Sequence, residues 1–195
     1  MGRSQRGSDE QAGRELAAMH RTRGRAFGWH RDNTIGSTPQ QNTPLDDWVS
    51  FWRERRLDFQ LKLAAQNGYG GRLQQRGEQL LERFPVLMNH EVAPSLLHGG
   101  LWGGNIAYDR DGSPVIFDPA VYYGDREADL AMTELFGGFA GNFYAAYNEA
   151  WPLDSGYGVR KVLYNLYHIL NHLNLFGDGY LSQSQSMIDR LLAEC

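Results

Sequence analysis

The stretch His98-Gly99-Gly100-Leu101-Trp102-Gly103-Gly104-Asn105, followed after a short interval by Phe117-Asp118-Pro119, decides how this chain is read. Between the two, Ile106-Ala107-Tyr108 and Val115-Ile116-Phe117 flank Asp109-Arg110-Asp111-Gly112, the pattern of a small β-hairpin. A hairpin folds the chain back on itself, so Asn105 at its start and Asp118 just past its end come side by side. Two oxygen-bearing side chains placed this way suit Mg2+, which takes one or two protein oxygens and completes its octahedron with water and phosphate. Spacing alone leaves the competing reading open, in which both residues merely cap the ends of the hairpin.

Outward from this centre the pattern is helical. Glu15 to His20 predicts a short helix stopped by Gly24, and a polar loop runs from Phe27 to Thr43. With Thr43 as N-cap and Pro44 in the first turn, Trp48, Trp52, Arg55, Phe59 and Leu63 mark a long amphipathic helix to near Gly68. A helix from Leu73 to Phe84 follows, limited by Pro85. Ser95-Leu96-Leu97-His98 is short and apolar. Helical periodicity returns over residues 125–136, 140–150, 159–176 and 180–192. The fold class is therefore mainly α with one small hairpin, preceded by a flexible N-terminus at residues 1–12.

The 195 residues, 42% of them hydrophobic, suffice for one sizeable core. A net charge of -4 argues against a surface built for nucleic acid or anionic lipid. No apolar run has the length of a membrane span, and the polar start with Arg3 and Arg6 lacks the apolar region of a signal peptide. Met1-Gly2 could suggest myristoylation, but Arg6 stands where Ser or Thr is wanted. The one cysteine, Cys195, has no partner within the chain, which suits a reducing cytoplasm.

The loop His98 to Asn105, the Phe117-Asp118-Pro119 step and the segment Asp125-Arg126-Glu127-Ala128-Asp129-Leu130-Ala131 resemble the fructosamine kinase (ketosamine-3-kinase) family, a branch of the aminoglycoside-phosphotransferase and protein-kinase-like fold. Phe27-Gly28-Trp29, Asp32-Asn33-Thr34-Ile35-Gly36 and Asp46-Asp47-Trp48 resemble it too, so the likeness runs from about Gly13 to the C-terminus. It implies that residues 13–195 form the C-terminal lobe of a kinase-like phosphotransferase. The implied reaction is ATP-dependent phosphorylation of the sugar 3-hydroxyl of small or protein-bound ketosamines. Asn105 and Asp118 would hold Mg2+, His98 and Asp129 would brace the catalytic loop, and Trp102 and Asp125 are candidates for the substrate pocket.

Two departures stand out. The family pattern reads His-Gly-Asp-Leu-Trp-x-Gly-Asn, and its Asp accepts the hydroxyl proton; here that position is Gly100. The nucleotide-clamping lobe, with its strand lysine, also has no counterpart, since the only lysines are Lys62 and Lys161, both in predicted helices. The expectation is a catalytically impaired chain. The alternatives are a non-catalytic pseudokinase or binding module, or a fragment that complements a separate N-terminal lobe.

Other signals have plainer readings. Trp102 lines a sugar pocket or packs the core. Asp129 is a loop brace or an exposed helical carboxylate, and Asp125 suits an N-cap better than a substrate contact. His90-Glu91 begins like a zinc-protease motif, but Pro94 occupies the second histidine position. His168 and His172 have metal-ligand spacing with no third ligand evident, and Arg21, Arg23, Arg25 and Arg31 read as a solvated basic face.

Overall fold

The computed structural model describes residues 7–195. Its eight α-helices among those residues are α1 (Ser8–His20), α2 (Trp48–Trp52), α3 (Phe59–Gln66), α4 (Arg72–Arg83), α5 (Arg126–Leu135), α6 (Gly141–Ala150), α7 (Tyr157–Phe176) and α8 (Leu181–Glu194). Between them lie three two-stranded antiparallel sheets in place of the single expected hairpin: β1 (Asn33–Ile35) with β2 (Thr38–Gln40), β3 (Ser95–Leu97) with β6 (Tyr122–Gly124), and β4 (Ile106–Tyr108) with β5 (Pro114–Ile116). The β4–β5 pair is the anticipated hairpin, with Ile106 opposite Ile116 and Tyr108 opposite Pro114. The other two pairs arise inside predicted loop or from segments far apart in sequence.

Helix α7 is the axis of the main core. Val162, Leu163, Tyr164, Leu166, Tyr167, Ile169, Leu170 and Leu173 are buried on all its sides, as expected of a helix covered all round. It packs against α3, α5 and α8. Trp52 seals the contact with α2, meeting Tyr164 edge-on at 4.9 Å between ring centroids. A second, smaller core joins α1 to α6 through Ala12, Leu16, Phe143 and Tyr147.

The long helix expected to end near Gly68 is continuous from Trp48 to Gln66, with a π-helical segment at Arg53–Asp58. Its start differs from expectation. Asp47, not Thr43, is the N-cap, accepting from the Ser50 amide at 2.7 Å, and Pro44 lies outside the helix. The reason is a competing pairing: Phe27 and Leu45 exchange backbone hydrogen bonds at 2.9 and 3.0 Å, which holds Leu45 in a bridge outside the helix. The N-terminal expectation also changes. Residues 8–12 belong to α1, with Ser8 and Ala12 buried, so flexibility to residue 12 is incorrect there; the readings on Arg3, Arg6 and Met1-Gly2 fall outside the described residues. No helix among the described residues is long and apolar enough to cross a membrane.

Candidate active site

Strand β3 delivers the chain into the glycine-rich loop, and Asp129 fixes the turn that follows. Its Oδ2 accepts from the His98 amide at 2.7 Å and its Oδ1 from the Gly99 amide at 2.8 Å. Gly99 sits at φ +80° with Ala120 O only 2.1 Å from where a Cβ would be, so only glycine fits this turn. Asp129 is buried, which removes the exposed-carboxylate alternative. Burial works to raise its pKa, but the bonds from His20 and the loop lower it below the usual carboxylate range. Behind it, His20 Nε2 donates to Oδ2 at 3.2 Å while Nδ1 accepts from the Tyr147 hydroxyl at 2.8 Å. In the sequence His20 marks only the end of a helix, with nothing local to announce these bonds.

His98 is buried. Its Nε2 donates to Phe117 O at 2.9 Å and its Nδ1 accepts from the Gly100 amide at 3.3 Å, so the ring ties the loop to the far end of the hairpin. Asn105 Nδ2 donates to Gly100 O at 3.0 Å, which turns the amide oxygen toward the remaining free side. Asp118, reached as Phe117 N donates to Asn105 O at 3.1 Å, has φ 57°. It is the one described non-glycine residue in the left-handed region, a conformation that costs on the order of 1–3 kcal/mol and persists where surrounding structure imposes it.

Gly100, Asn105, Asp118 and Trp102 share the wall of one cleft of about 520 Å³. The same lining includes Phe136, His168, His172 and Phe176, and the β1–β2 hairpin contributes Thr34, Ile35 and Gly36. Trp102 is 43% exposed and meets Phe136 edge-on at 6.4 Å, so it faces the cleft and is not part of the core. His168 is neutral because burial pushes its pKa down to about 3. His172 Nδ1 donates to His168 O at 2.7 Å, an arrangement of two rings on one helix and not a metal pair.

Asp125 is not in this cleft. It caps α5 by accepting from the Glu127 amide at 3.0 Å, and its Oδ2 accepts from His90 Nε2 at 2.7 Å and the Tyr164 hydroxyl at 2.5 Å. The substrate-contact reading of Asp125 is thereby corrected: its carboxylate is spent on a buried network. Burial opposes the His90 cation, yet the adjacent Asp125 carboxylate raises the His90 pKa. Glu127 is held in the same network by a two-bond ion pair with Arg160 at 2.7 and 2.8 Å. Arg21 and Arg23 are exposed, donate to backbone carbonyls and lie over Trp151.

Both lysines are engaged elsewhere, Lys62 with Asp58 at 2.7 Å and Lys161 with Glu134 at 2.6 Å. Among the described residues, neither lysine nor arginine lines the cleft. At Gly100 the backbone is outside the left-handed region, and a Cβ there would meet only the Ile35 δ-methyl, at 3.2 Å. Gly100→Asp is therefore expected to change stability by no more than about 1 kcal/mol, since the neighbour is the mobile end of a side chain. Urea unfolding of the two chains checks this; a loss of several kcal/mol would show that the loop has closed over the position.

The family model described as fructosamine kinase matches residues 1–194. A protein of Synechocystis assigned as a ketoamine kinase is 49% identical over 192 residues, covering 98% of this chain and 64% of the relative. The chloroplastic protein-ribulosamine 3-kinase of Arabidopsis thaliana is 48% identical over 190 residues, covering 96% of this chain and 58% of the relative. A crystal structure from Thermobifida fusca assigned as a fructosamine-3-kinase superposes with a TM-score of 0.92 at 34% identity, covering 98% of this chain and 67% of that one. The chain thus spans 58% to 64% of the length of these two curated relatives, and its fold is kinase-like.

Proposed function

The chain belongs to the fructosamine kinase family, and on that premise we propose that its cleft is the sugar- and metal-binding half of an ATP-dependent ketosamine 3-kinase site whose base position is vacated by Gly100. Residues 13–195 then correspond to the C-terminal lobe of the kinase-like fold, extended by the first turns of α1. The observation that carries the reading is the meeting of Gly100, Asn105, Asp118 and Trp102 in the lining of one cleft.

The donor set fits Mg2+. Asp118 offers a carboxylate and Asn105 an amide oxygen left free by the Nδ2 bond to Gly100 O, both hard oxygen ligands facing the cleft. Held there, the ion would supply charge neutralisation to a transferring phosphoryl group. The nucleotide is a different matter: among the described residues no lysine or arginine lines the cleft, so the described lining provides no phosphate clamp. The sugar fits the aromatic end. Trp102 and Phe136 present ring surface to its apolar C–H faces, and a cleft of this volume accommodates a hexose with its amine substituent.

The missing carboxylate favours binding over turnover. General-base assistance contributes roughly 10²–10⁴ in rate, and the enzyme class runs at about 1–100 per second when complete. The purified chain is expected to bind a small fructosamine by calorimetry, about tenfold more weakly after Trp102→Ala, and to release no ketosamine-dependent ADP above background. Turnover near 1 per second by the chain alone would overturn the loss of the base. Binding indifferent to Trp102→Ala would move the sugar elsewhere.

A further inference from the structure

We infer that Asn33 and Gln40, on the two strands of the β1–β2 hairpin, are positioning residues that hold Asp118 in its metal-facing conformation. The inference rests on Asp118 being the metal ligand proposed above, and it assigns a role to a hairpin distant in sequence from that residue.

Asp118 is suspended in a segment pinned on both sides. Before it, Phe117 N donates to Asn105 O and Phe117 O accepts from His98 Nε2. After it, Ala120 N donates to His98 O at 2.9 Å, Ala120 O accepts from Gln40 Nε2 at 2.9 Å, and Val121 O accepts from Asn33 Nδ2 at 2.8 Å. The catalytic loop therefore fixes one side of Asp118 and shares the other side with the hairpin. A non-glycine residue at φ 57° relaxes unless its neighbours forbid it, and these bonds are what forbid it.

The two side chains are themselves held by further hydrogen bonds. Gln40 Nε2 also donates to Asn33 Oδ1 at 2.8 Å, and Gln40 Oε1 accepts from the Tyr167 hydroxyl at 2.9 Å. Asn33 Oδ1 takes a second bond from Asn42 Nδ2 at 2.8 Å, and Asn42 Oδ1 accepts from Arg56 Nη2 at 2.8 Å. One line of donation runs from the Arg56 guanidinium through Asn42 and Asn33 to Val121 O. A buried cation at the head of such a chain polarises each amide after it and strengthens the last bond. This also explains why a fully buried arginine, packed on the faces of Phe51 and Tyr122, is present beneath the cleft.

The test measures Mn2+ binding to the whole chain by water-proton relaxation, without nucleotide. Asn33→Asp keeps Oδ1 for Gln40 and Asn42 but removes the donor to Val121 O; Gln40→Glu likewise removes the donor to Ala120 O. Each is expected to weaken Mn2+ by 10–100-fold, the usual effect of removing an outer-shell partner, with the circular dichroism unchanged. Amide exchange at Ala120 should accelerate in both, while the interior of α7 keeps its protection. Unchanged affinity in both variants, with binding still lost in Asp118→Asn, overturns the positioning role alone. Mn2+ binding that is absent, or indifferent to Asp118→Asn, overturns the metal reading and this inference with it.

Discussion

A chimera that joins this chain to the portion of a full-length relative it does not span is expected to phosphorylate a small fructosamine roughly 10²–10⁴ times faster with Gly100→Asp than with Gly100 retained. Three features set that expectation. Gly100 already sits on the cleft wall with the metal-ligand candidates. Its carbonyl is already bonded to Asn105, so the spacing between position 100 and the candidate ligand is built into the loop. Its Cβ direction is open except for the Ile35 methyl, so the carboxylate can be seated without remaking the backbone. In the chain alone the same substitution should return little activity, because phosphoryl transfer depends more on positioning and charge neutralisation than on the base, and no lysine or arginine among the described residues lines the cleft. Single-turnover product formation at equal folded concentration makes the comparison. Equal rates in the two chimeras would mean that position 100 is not where the hydroxyl proton goes.

What the sequence revealed of this site follows from how local each signal is. The loop from His98 to Asn105 and the step at Asp118 are separated by one tight hairpin, so their meeting is dictated by nearest-neighbour geometry. Asp125 was equally legible as an N-cap, but its partners His90 and Tyr164 come from other helices and loops, and no local pattern announces them. The β1–β2 hairpin was illegible for another reason. Each strand has three residues, β2 contains Pro39, and the buried side chains of β2 are Thr38 and Gln40 where an apolar alternation would be sought. Its hydrophilic interior is the polar network itself, which reads in sequence as a loop. The β3–β6 pair, joining Ser95 to Gly124, depends on the whole glycine-rich loop and the β4–β5 hairpin folding back between them. Likewise, Thr43-Pro44 has the chemistry of a helix start, and only the distant pairing of Phe27 with Leu45 overrides it.

Removing the carboxylate of Asp129 is expected to cost about 3–5 kcal/mol of stability in Asp129→Ala, because three donors converge on it: the amides of His98 and Gly99 and His20 Nε2. Asp129→Asn should cost less, since the amide keeps the volume and one acceptor, but its NH2 group is forced against a donor. Acid separates the charge from the packing. The carboxyl of Asp129 titrates in the folded chain below its ordinary value near 4, so its contribution is complete above that value and is lost as pH falls through the lower, folded one. The gap in unfolding free energy between the unaltered chain and Asp129→Asn should therefore be constant from pH 7 to about 5 and narrow below about 4. Urea titrations at a series of pH values measure it, with amide exchange at His98 and Gly99 reporting whether the loop loosens first. A gap that stays constant into acid would mean that the loop is held by packing alone, and that the buried carboxylate beneath it is not what keeps Gly100 and Asn105 in register.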